Sequence, residues 1–305
     1  MPQPDVRGRF LWHELMTPDV EKATSFYPKV ISWKTQPWPQ DKNYTMWMAD
    51  RGPVGGLTTV PSELAQQGVP PHWLIYIGTP NVDETIDAAR RLGGAVVRPA
   101  HDVTTIGRFA VLTDPQGVAF AIHSPSSPST SLDAVTEIGD FSWHELATTD
   151  ADAALRFYQE LFGWDLVTRM DMGPSGFYNI FGWKGAQRGG IYTAPKDQKA
   201  RPHWLSYAQV GSADLAAEKA KSAGARIING PMEVPGGSRI TMLMDPQGVA
   251  FAVHSMPAAK EEAAPKVKAK AKAKAKAKVK AKAKRAPAKK AAPKRKAKRP
   301  ARRKK

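Results

Sequence analysis

The spacing of apolar residues over the first 60 positions predicts a strand, a helix and three more short strands. Alternating apolar positions predict a strand over 10–16, and Gly and Pro separate the strands predicted near 33, over 44–49 and over 54–60. A helix is predicted after Asp19, a typical N-cap, because five apolar residues recur there at helical spacing: Val20, Ala23, Phe26, Tyr27 and Val30. The segment therefore has the order β-α-β-β-β.

A second round of the same order follows directly. Residues 72–77 predict a strand, and residues 82–92 predict a helix that ends at Gly93-Gly94. The composition of Asp114-Pro-Gln-Gly117 is typical of a turn. Three further strands are predicted around it, over 95–98, 108–113 and 118–123. Two β-α-β-β-β units thus form one α+β domain.

The whole pattern then returns, which predicts two tandem copies of this domain. Phe10-Leu-Trp12-His13-Glu14-Leu15 recurs 131 residues later as Phe141-Ser-Trp143-His144-Glu145-Leu146. Asp114–His123 recurs at the same offset, and Gly55-Gly56 recurs 134 residues later as Gly189-Gly190. We expect domains over 8–124 and 139–256, a Ser/Pro-rich linker over 125–138 and a tail over 258–305.

Several of these motifs together resemble the vicinal oxygen chelate superfamily, which includes glyoxalase I, bleomycin-resistance proteins and extradiol dioxygenases. They are Thr17-Pro-Asp19, a helix ending in Phe26-Tyr27, Phe162-Gly163-Trp164, and the Asp-Pro-x-Gly turn at Asp114 and Asp245. The resemblance covers nearly all of both domains. It implies tandem glyoxalase-like domains, each a curled mixed sheet around a cavity, with ligands bound on its concave face.

The sequence departs from this family at two positions that usually bind metal. Metal-dependent members place a His seven residues before the helix-starting Asp and a Glu seven residues after the Asp of the turn. The corresponding residues here cannot bind metal, and both copies agree: Trp12 and Trp143, Ala121 and Ala252. The usual glyoxalase-type site is therefore not expected.

A shifted metal site is one hypothesis for the chemistry of these domains. Strand residues two apart share a face, so Glu14 lies on the cavity side with Trp12, while His13 faces the other way. Two histidines and one carboxylate suit Fe(II), Mn(II) or Zn(II). The candidate sets are Glu14, His72 and His123 in the first copy, and Glu145, His203 and His254 in the second. The alternative is that these histidines are hydrogen-bonded structural residues.

A metal-free site is the competing hypothesis. Glu14 and Glu145 are then the candidate general bases, with pKa values raised by apolar surroundings. An unpaired buried carboxylate is costly, so Arg108 and Arg239 on the predicted seventh strands are candidates to pair with it or to hold a polar ligand. Trp12 and Trp143 are candidate cavity walls, although residues of this kind belong more often to the core than to a cavity wall.

The charge of the chain is concentrated in its tail. Residues 260–305 hold 23 Lys and Arg and two acidic residues, whereas the remainder holds 22 basic and 26 acidic residues. Dense like charge without an apolar face predicts disorder, and the composition resembles linker-histone tails. Such a tail favours non-specific DNA or RNA binding through phosphates. Candidate contacts are spread along it: Lys266, Lys272, Lys278, Lys284, Arg285, Lys294, Arg295, Arg302 and Arg303.

Three functions remain open from the sequence. The first is a protein that binds a small organic molecule, with or without transforming it, while its tail tethers it to nucleic acid. The second is a metal-free binding or resistance-type protein without catalysis, and the third is a nucleic-acid-associated protein with scaffold domains. The absence of cysteine, of an apolar leader in MPQPDVRGRF and of a long apolar run predicts a soluble cytoplasmic protein, associated with the nucleoid through its tail.

Overall fold

The computed structural model describes residues 6–127, 136–195 and 201–257. The basic tail and most of the predicted linker lie outside these residues, so the expectations for them remain predictions. The described residues belong to one compact unit. None of the helices within them is long and apolar enough to cross a membrane.

The first domain contains eight strands and three helices. In chain order they are β1 Phe10–Thr17, α1 Val20–Ile31, β2 Lys34–Trp38, β3 Asp41–Ala49, β4 Gly52–Thr59, α2 Ser62–Gln66, β5 His72–Gly78, α3 Val82–Arg91, β6 Ala95–Val103, β7 Gly107–Thr113 and β8 Ala119–Pro125. The predicted elements are present, and the short helix α2 was not predicted. Asp19 caps α1 as expected, because its side chain accepts a hydrogen bond from the Lys22 backbone N–H at 2.9 Å.

The second domain repeats this order, and the positions that correspond to α2, 196–200, lie outside the described residues. Its elements are β9 Phe141–Thr148, α4 Ala151–Phe162, β10 Asp165–Asp171, a 3₁₀ turn at Gly173–Ser175, β11 Phe177–Trp183, β12 Ala186–Thr193, β13 His203–Gln209, α5 Ala213–Ser222, β14 Arg226–Glu233, β15 Arg239–Met244 and β16 Ala250–Ser255. The N-caps Asp150 and Ser212 accept backbone hydrogen bonds from the first turns of α4 and α5.

Each domain forms one eight-stranded mixed sheet. The strand order in the first domain is β2-β3-β4-β1-β5-β8-β7-β6, and the second domain has the same order, β10-β11-β12-β9-β13-β16-β15-β14. The two halves of each sheet meet where β1 runs antiparallel to β5, and β9 to β13. This confirms the α+β class and the pair of β-α-β-β-β units in each copy.

The two domains share their hydrophobic cores. One core joins α1 and β4 of the first domain to α5, β15 and β16 of the second, with Tyr27, Leu57, Leu243 and Phe251 among its residues. The other core joins α3, β7 and β8 of the first domain to α4 of the second. Each core therefore needs apolar residues from both copies, which is why the two copies pack against each other.

Hydrogen bonds also join the two domains, and they occur in equivalent pairs. The Tyr27 hydroxyl donates to Asp245 Oδ2 at 3.0 Å, and the Tyr158 hydroxyl donates to Asp114 Oδ2 at 3.1 Å. The indole N–H of Trp33 donates to the Gly139 carbonyl at 2.7 Å, and that of Trp164 donates to the Gly8 carbonyl at 2.8 Å. Every one of these hydrogen bonds joins the two domains. Directional hydrogen bonds as well as apolar contacts therefore determine how the domains pack.

Candidate functional site

A cavity of about 340 Å³ opens inside the sheet of the first domain. Strands β1, β3, β5, β7 and β8 supply most of its wall. The wall is mainly apolar, and its larger side chains are Trp12, Trp38, Met46, Val103, Ile106 and Phe109. The polar residues Glu14, Tyr44, Tyr76 and His123 also line it. An apolar cavity with a few convergent polar groups has the composition of a small-molecule site.

Glu14 is the polar centre of this cavity. Its side chain is buried, and its Oε2 accepts a hydrogen bond from the Tyr76 hydroxyl at 3.0 Å. The pKa of Glu14 is raised by burial, against the opposing effect of hydrogen bonds from Tyr44 and Tyr76. The net shift means that this carboxyl holds its proton to a higher pH than a solvated one does.

Tyr44 reaches Glu14 because a glycine lies beneath it. Gly56 pairs with Glu14 across β1 and β4, and a Cβ at Gly56 would overlap the Tyr44 hydroxyl oxygen. The ring therefore occupies the space where a side chain of β4 would be. The Trp12 indole N–H donates to the Tyr44 hydroxyl at 2.8 Å, which holds that hydroxyl beside the carboxyl.

The second domain contains the corresponding group. The Trp143 indole N–H donates to the Tyr178 hydroxyl at 3.0 Å, and that hydroxyl donates to Glu145 Oε2 at 2.9 Å. The Tyr207 hydroxyl is buried near the carboxylate, without a partner in ordinary hydrogen-bonding geometry among the described residues. Burial raises the pKa of Glu145 as it does that of Glu14.

An additional tyrosine distinguishes the second domain. Tyr192 lies two residues after Gly190, which pairs with Glu145 across β12 and β9. Its ring stacks on Tyr178 with 6.0 Å between ring centroids, and burial together with the charge of Glu145 raises its pKa to about 12. The corresponding residue of the first domain is Thr58, two residues after Gly56. The polar group is therefore covered by an extra ring in the second copy and not in the first.

The predicted histidines do not gather around Glu14. His123 lines the cavity, but its Nε2 donates to the Ile106 carbonyl at 3.1 Å. His72 lies at the other end of β5 from Tyr76, where its Nδ1 donates to the Pro70 carbonyl at 2.8 Å. In the second domain, His203 bonds the Arg201 carbonyl and His254 contacts the Ser142 hydroxyl.

The side chains that could donate to a metal ion decide whether the predicted metal sites can form. Within residues 6–127, 136–195 and 201–257, no three His, Asp or Glu side chains are placed to hold a metal ion. At the family's usual ligand positions, the indole of Trp12 lines the cavity and Ala121 is fully buried against Tyr76. The donors at this cavity therefore do not fit a metal centre.

The expectation that Arg108 and Arg239 pair with the buried glutamates is wrong. Arg108 bonds Asp83 of α3 at 2.9 Å and Asp102 at 2.7 Å, and Arg239 bonds Asp214 of α5 at 2.6 Å. The reason is strand parity, because Phe109 faces the cavity and its neighbour Arg108 must face the helix side. Neither arginine contacts the glutamates, and the cation with an effect on Glu14 is Arg98.

The tyrosines are the site residues that the sequence interpretation missed. Tyr44 and Tyr178 share the 134-residue offset of the glycine pairs, and Tyr76 and Tyr207 share the 131-residue offset of the first strand. Their repetition was therefore a usable signal. What it did not reveal was their proximity to Glu14, which depends on sheet register and on the space above Gly56.

This architecture, two tandem cupped sheets each built from two β-α-β-β-β units, defines the class of protein. The family described as "Glyoxalase/Bleomycin resistance protein/Dioxygenase superfamily" matches residues 139–253, and the family described as "Glyoxalase-like domain" matches residues 13–123. The chain belongs to the glyoxalase/bleomycin resistance protein/dioxygenase superfamily, as the motifs led us to expect.

Two curated relatives extend over most of the chain. The protein named "Putative glyoxylase CFP32" from Mycobacterium tuberculosis (strain CDC 1551 / Oshkosh) is 32% identical over 245 residues, which cover 79% of this chain and 92% of that protein. "Anthracycline biosynthesis protein DnrV" from Streptomyces peucetius is 28% identical over 266 residues, covering 81% and 92%. Both matches span the two domains together.

Solved structures agree on the fold. The 2,3-dioxygenase LapB from Pseudomonas sp. KL28 superposes with a TM-score of 0.58 at 12% identity, covering 83% of this chain and 94% of that chain. The Mn(II)-bound glyoxalase from Novosphingobium aromaticivorans gives a TM-score of 0.56 at 16% identity, covering 83% of each chain. At this identity the likeness concerns the fold alone.

Proposed function

We propose that this protein binds a small, largely apolar organic molecule in the cavity of its first domain. The observation that carries the proposal is the buried Glu14 carboxyl at the polar end of an otherwise apolar cavity. A cavity of about 340 Å³ accommodates a ring compound of modest size. Names of relatives such as a glyoxylase and an anthracycline biosynthesis protein are consistent with a small organic ligand.

The chemistry of Glu14 defines the kind of group that the ligand presents to it. A carboxylate accepts hydrogen bonds only, so a hydroxyl or amine of the ligand is the complementary donor. The aromatic wall formed by Trp12, Trp38 and Phe109 favours a flat ring through stacking and edge contacts. We therefore propose hydroxylated or amino-substituted aromatic compounds as the ligand class.

Glu14 is also the group through which this cavity can move a proton. Its raised pKa brings the carboxyl closer to the range in which general acid–base catalysis is efficient. The Tyr76 hydroxyl, which donates to it at 3.0 Å, holds the carboxyl in one orientation. We propose Glu14 as the acid–base residue of any conversion carried out here, independently of the family's usual metal.

A direct test compares ligand binding by two matched variants. A panel of phenols and their methyl ethers is screened by calorimetry against the full chain, Glu14→Gln and Glu145→Gln. We expect phenols to bind more tightly than the ethers, and Glu14→Gln to weaken that binding about tenfold or more, because a hydrogen bond to a charged group contributes about 1.5–3 kcal/mol. Glu145→Gln should bind as the parent does.

Three results would contradict the proposal. They are equal affinity for phenols and ethers, unchanged binding in Glu14→Gln, or a loss that occurs only in Glu145→Gln. Each variant retains the side-chain volume and removes a titrating group, so both should fold. Thermal unfolding of the two variants checks this.

A second proposal concerns the tail, which lies outside the described residues. Its 23 Lys and Arg against two acidic residues support non-specific binding to DNA or RNA. The full chain should retard duplex DNA at low salt, with affinity falling steeply as salt rises, while residues 1–257 should not. Equal retardation by the shortened chain would overturn the proposal.

A further inference from the structure

A second cavity, of about 260 Å³, lies at the boundary between the two domains. It is distinct from the Glu14 cavity and has a mainly polar wall. The segments 9–13 and 140–144, which correspond in the repeat, both contribute to its wall. His13 and His144 both line it, and their Nε2 atoms lie 2.7 Å apart.

The positive charges around this cavity do not follow the repeat. Arg9, Arg51 and Arg188 all line it. Their counterparts in the other copy are Asp140, Gly185 and Val54, so the charges are not a by-product of the shared fold. Asp140 and Glu137 both form ion pairs with Arg51. Arg188 differs from Arg51, because it forms no ion pair with a carboxylate of the described residues.

A β-bulge directs Arg188 into this space. In the β11–β12 pair, Phe181 lies opposite Gly189 and Gly182 lies opposite Gln187, so Arg188 is the extra residue of β12. A bulge changes the direction of its side chain relative to the regular pleat. The first domain has the same irregularity, with Val54 as the extra residue of β4. An identical backbone device therefore presents valine in one copy and arginine in the other.

Arg188 lies close to His144, one of the two buried histidines. Its carbonyl lies 3.4 Å from His144 Nδ1, and its guanidinium is near enough to His144 to act on that ring electrostatically. No carboxylate of the described residues forms an ion pair with Arg188. On the same side, the Arg9 guanidinium lies over the Trp183 ring at 4.2 Å.

We propose that this interdomain cavity binds a small oxyanion, an organic carboxylate or phosphate, through the guanidinium of Arg188. A guanidinium matches such an anion by donating two parallel N–H bonds. The anion would replace the missing carboxylate partner of Arg188, and it would contact both domains at the point where they meet. The site does not depend on the proposed function of the Glu14 cavity.

The test uses the full chain and three variants in calorimetric titrations at 150 mM NaCl, with inorganic phosphate in one arm and acetate in the other. Arg188→Val installs the residue that the first domain has at the bulge, and Arg188→Gln removes the charge while keeping the length. Arg156→Val, an exposed arginine of α4, is the matched control for net charge. The basic tail is identical in all four proteins and is largely screened at this salt concentration.

We expect saturable binding of one anion per chain in the parent and in Arg156→Val, weakened at least about tenfold in both Arg188 variants. The arm that shows the tighter binding identifies phosphate or carboxylate as the preferred chemistry. Unchanged affinity in both Arg188 variants, or no saturable binding in either arm, would overturn the proposal. Thermal unfolding of each variant without anion verifies that the fold persists.

Discussion

His13 and His144 occupy the same position in the two copies and meet across the domain boundary, with 2.7 Å between their Nε2 atoms. Each ring is stacked by an aromatic residue of the other copy: Phe141 on His13 at 3.7 Å and Phe10 on His144 at 3.5 Å. Both histidines are almost completely buried. The residue that faces away from the cavity in each first strand thus forms the centre of the domain interface.

This pair predicts a loss of stability in mild acid. Burial lowers the pKa of both rings, that of His144 to about 3, and the neighbouring His144 further lowers that of His13. The folded state keeps them neutral, while the unfolded chain binds protons near pH 6.5. Their contribution is therefore complete above about pH 6.5 and is lost as the pH falls toward the folded pKa, by up to about 1.4 kcal/mol per pH unit for each histidine.

Urea unfolding between pH 7.5 and 4.5 measures this effect. The double variant His13→Gln/His144→Gln should show a shallower decline in the free energy of unfolding than the parent does. Equal slopes in the two proteins would contradict the prediction, because other buried histidines are common to both.

The crossed tyrosine bonds predict a defined cost for removing one hydroxyl. Asp114 accepts hydrogen bonds from two backbone N–H groups, at Gln116 and Val118, and one from Tyr158. Tyr158→Phe leaves this buried carboxylate one donor short, so we expect a loss of about 1–3 kcal/mol in the free energy of unfolding. Tyr27→Phe should cost a similar amount at Asp245, and the double variant should approach the sum. Urea denaturation of the three variants provides the comparison, and a change below about 0.5 kcal/mol in both single variants would contradict it.

The shared cores predict that neither domain is stable alone. A fragment of residues 6–127 would expose the faces of α1 and α3 that pack against the other domain, including the buried Phe26 and Tyr27. Apolar patches of this kind lead to self-association. Size-exclusion chromatography should therefore show the fragment as a dimer or aggregate. A monomeric fragment with a cooperative thermal transition would refute this expectation.

Gly56 offers a test of the Glu14 site that does not alter its polar atoms. The new Cβ of Gly56→Ala would displace the Tyr44 ring, which takes its hydroxyl away from Trp12 and Glu14. We expect phenol affinity to fall about tenfold or more, with a loss of about 1–3 kcal/mol in the free energy of unfolding, because the buried Glu14 carboxyl loses one hydrogen-bond donor. The matched variant Gly190→Ala displaces Tyr178 in the second domain and should leave that affinity unchanged. Equal effects of the two variants in calorimetry would show that the cavities are not distinguished as we infer.

The difference between Thr58 and Tyr192 predicts which cavity accepts a ligand. Thr58→Tyr should place an extra ring over the Glu14 group and weaken phenol binding. Tyr192→Thr should leave ligand binding in the first domain unchanged. It should also allow a second ligand molecule to bind beside Glu145 in the second domain. Native mass spectrometry counts the bound molecules, and undiminished binding by Thr58→Tyr would disprove the distinction.

Much of the architecture follows from local signals. Helix α1, its Asp19 cap and the Asp114 turn are determined by residues close together in the chain, and the repeat displays each signal twice. The cavity orientation of Glu14 also follows locally, because alternation along β1 separates it from His13. Arg108 shows the limit of that reasoning, since its direction depends on how β7 pairs with β8 and on which face α3 covers.

The sequence by itself determined the duplication, the order of elements, the family and the absence of its two usual metal ligands. Only the tertiary structure decided that Tyr44 and Tyr76 contact Glu14, that His13 meets His144, and that a bulge points Arg188 toward the domain boundary. The physical reason is the separation along the chain between the residues that interact. Periodicity, caps and turns act over a few residues, whereas these contacts arise from strand register, from the space above a glycine and from the packing of two domains that share their cores.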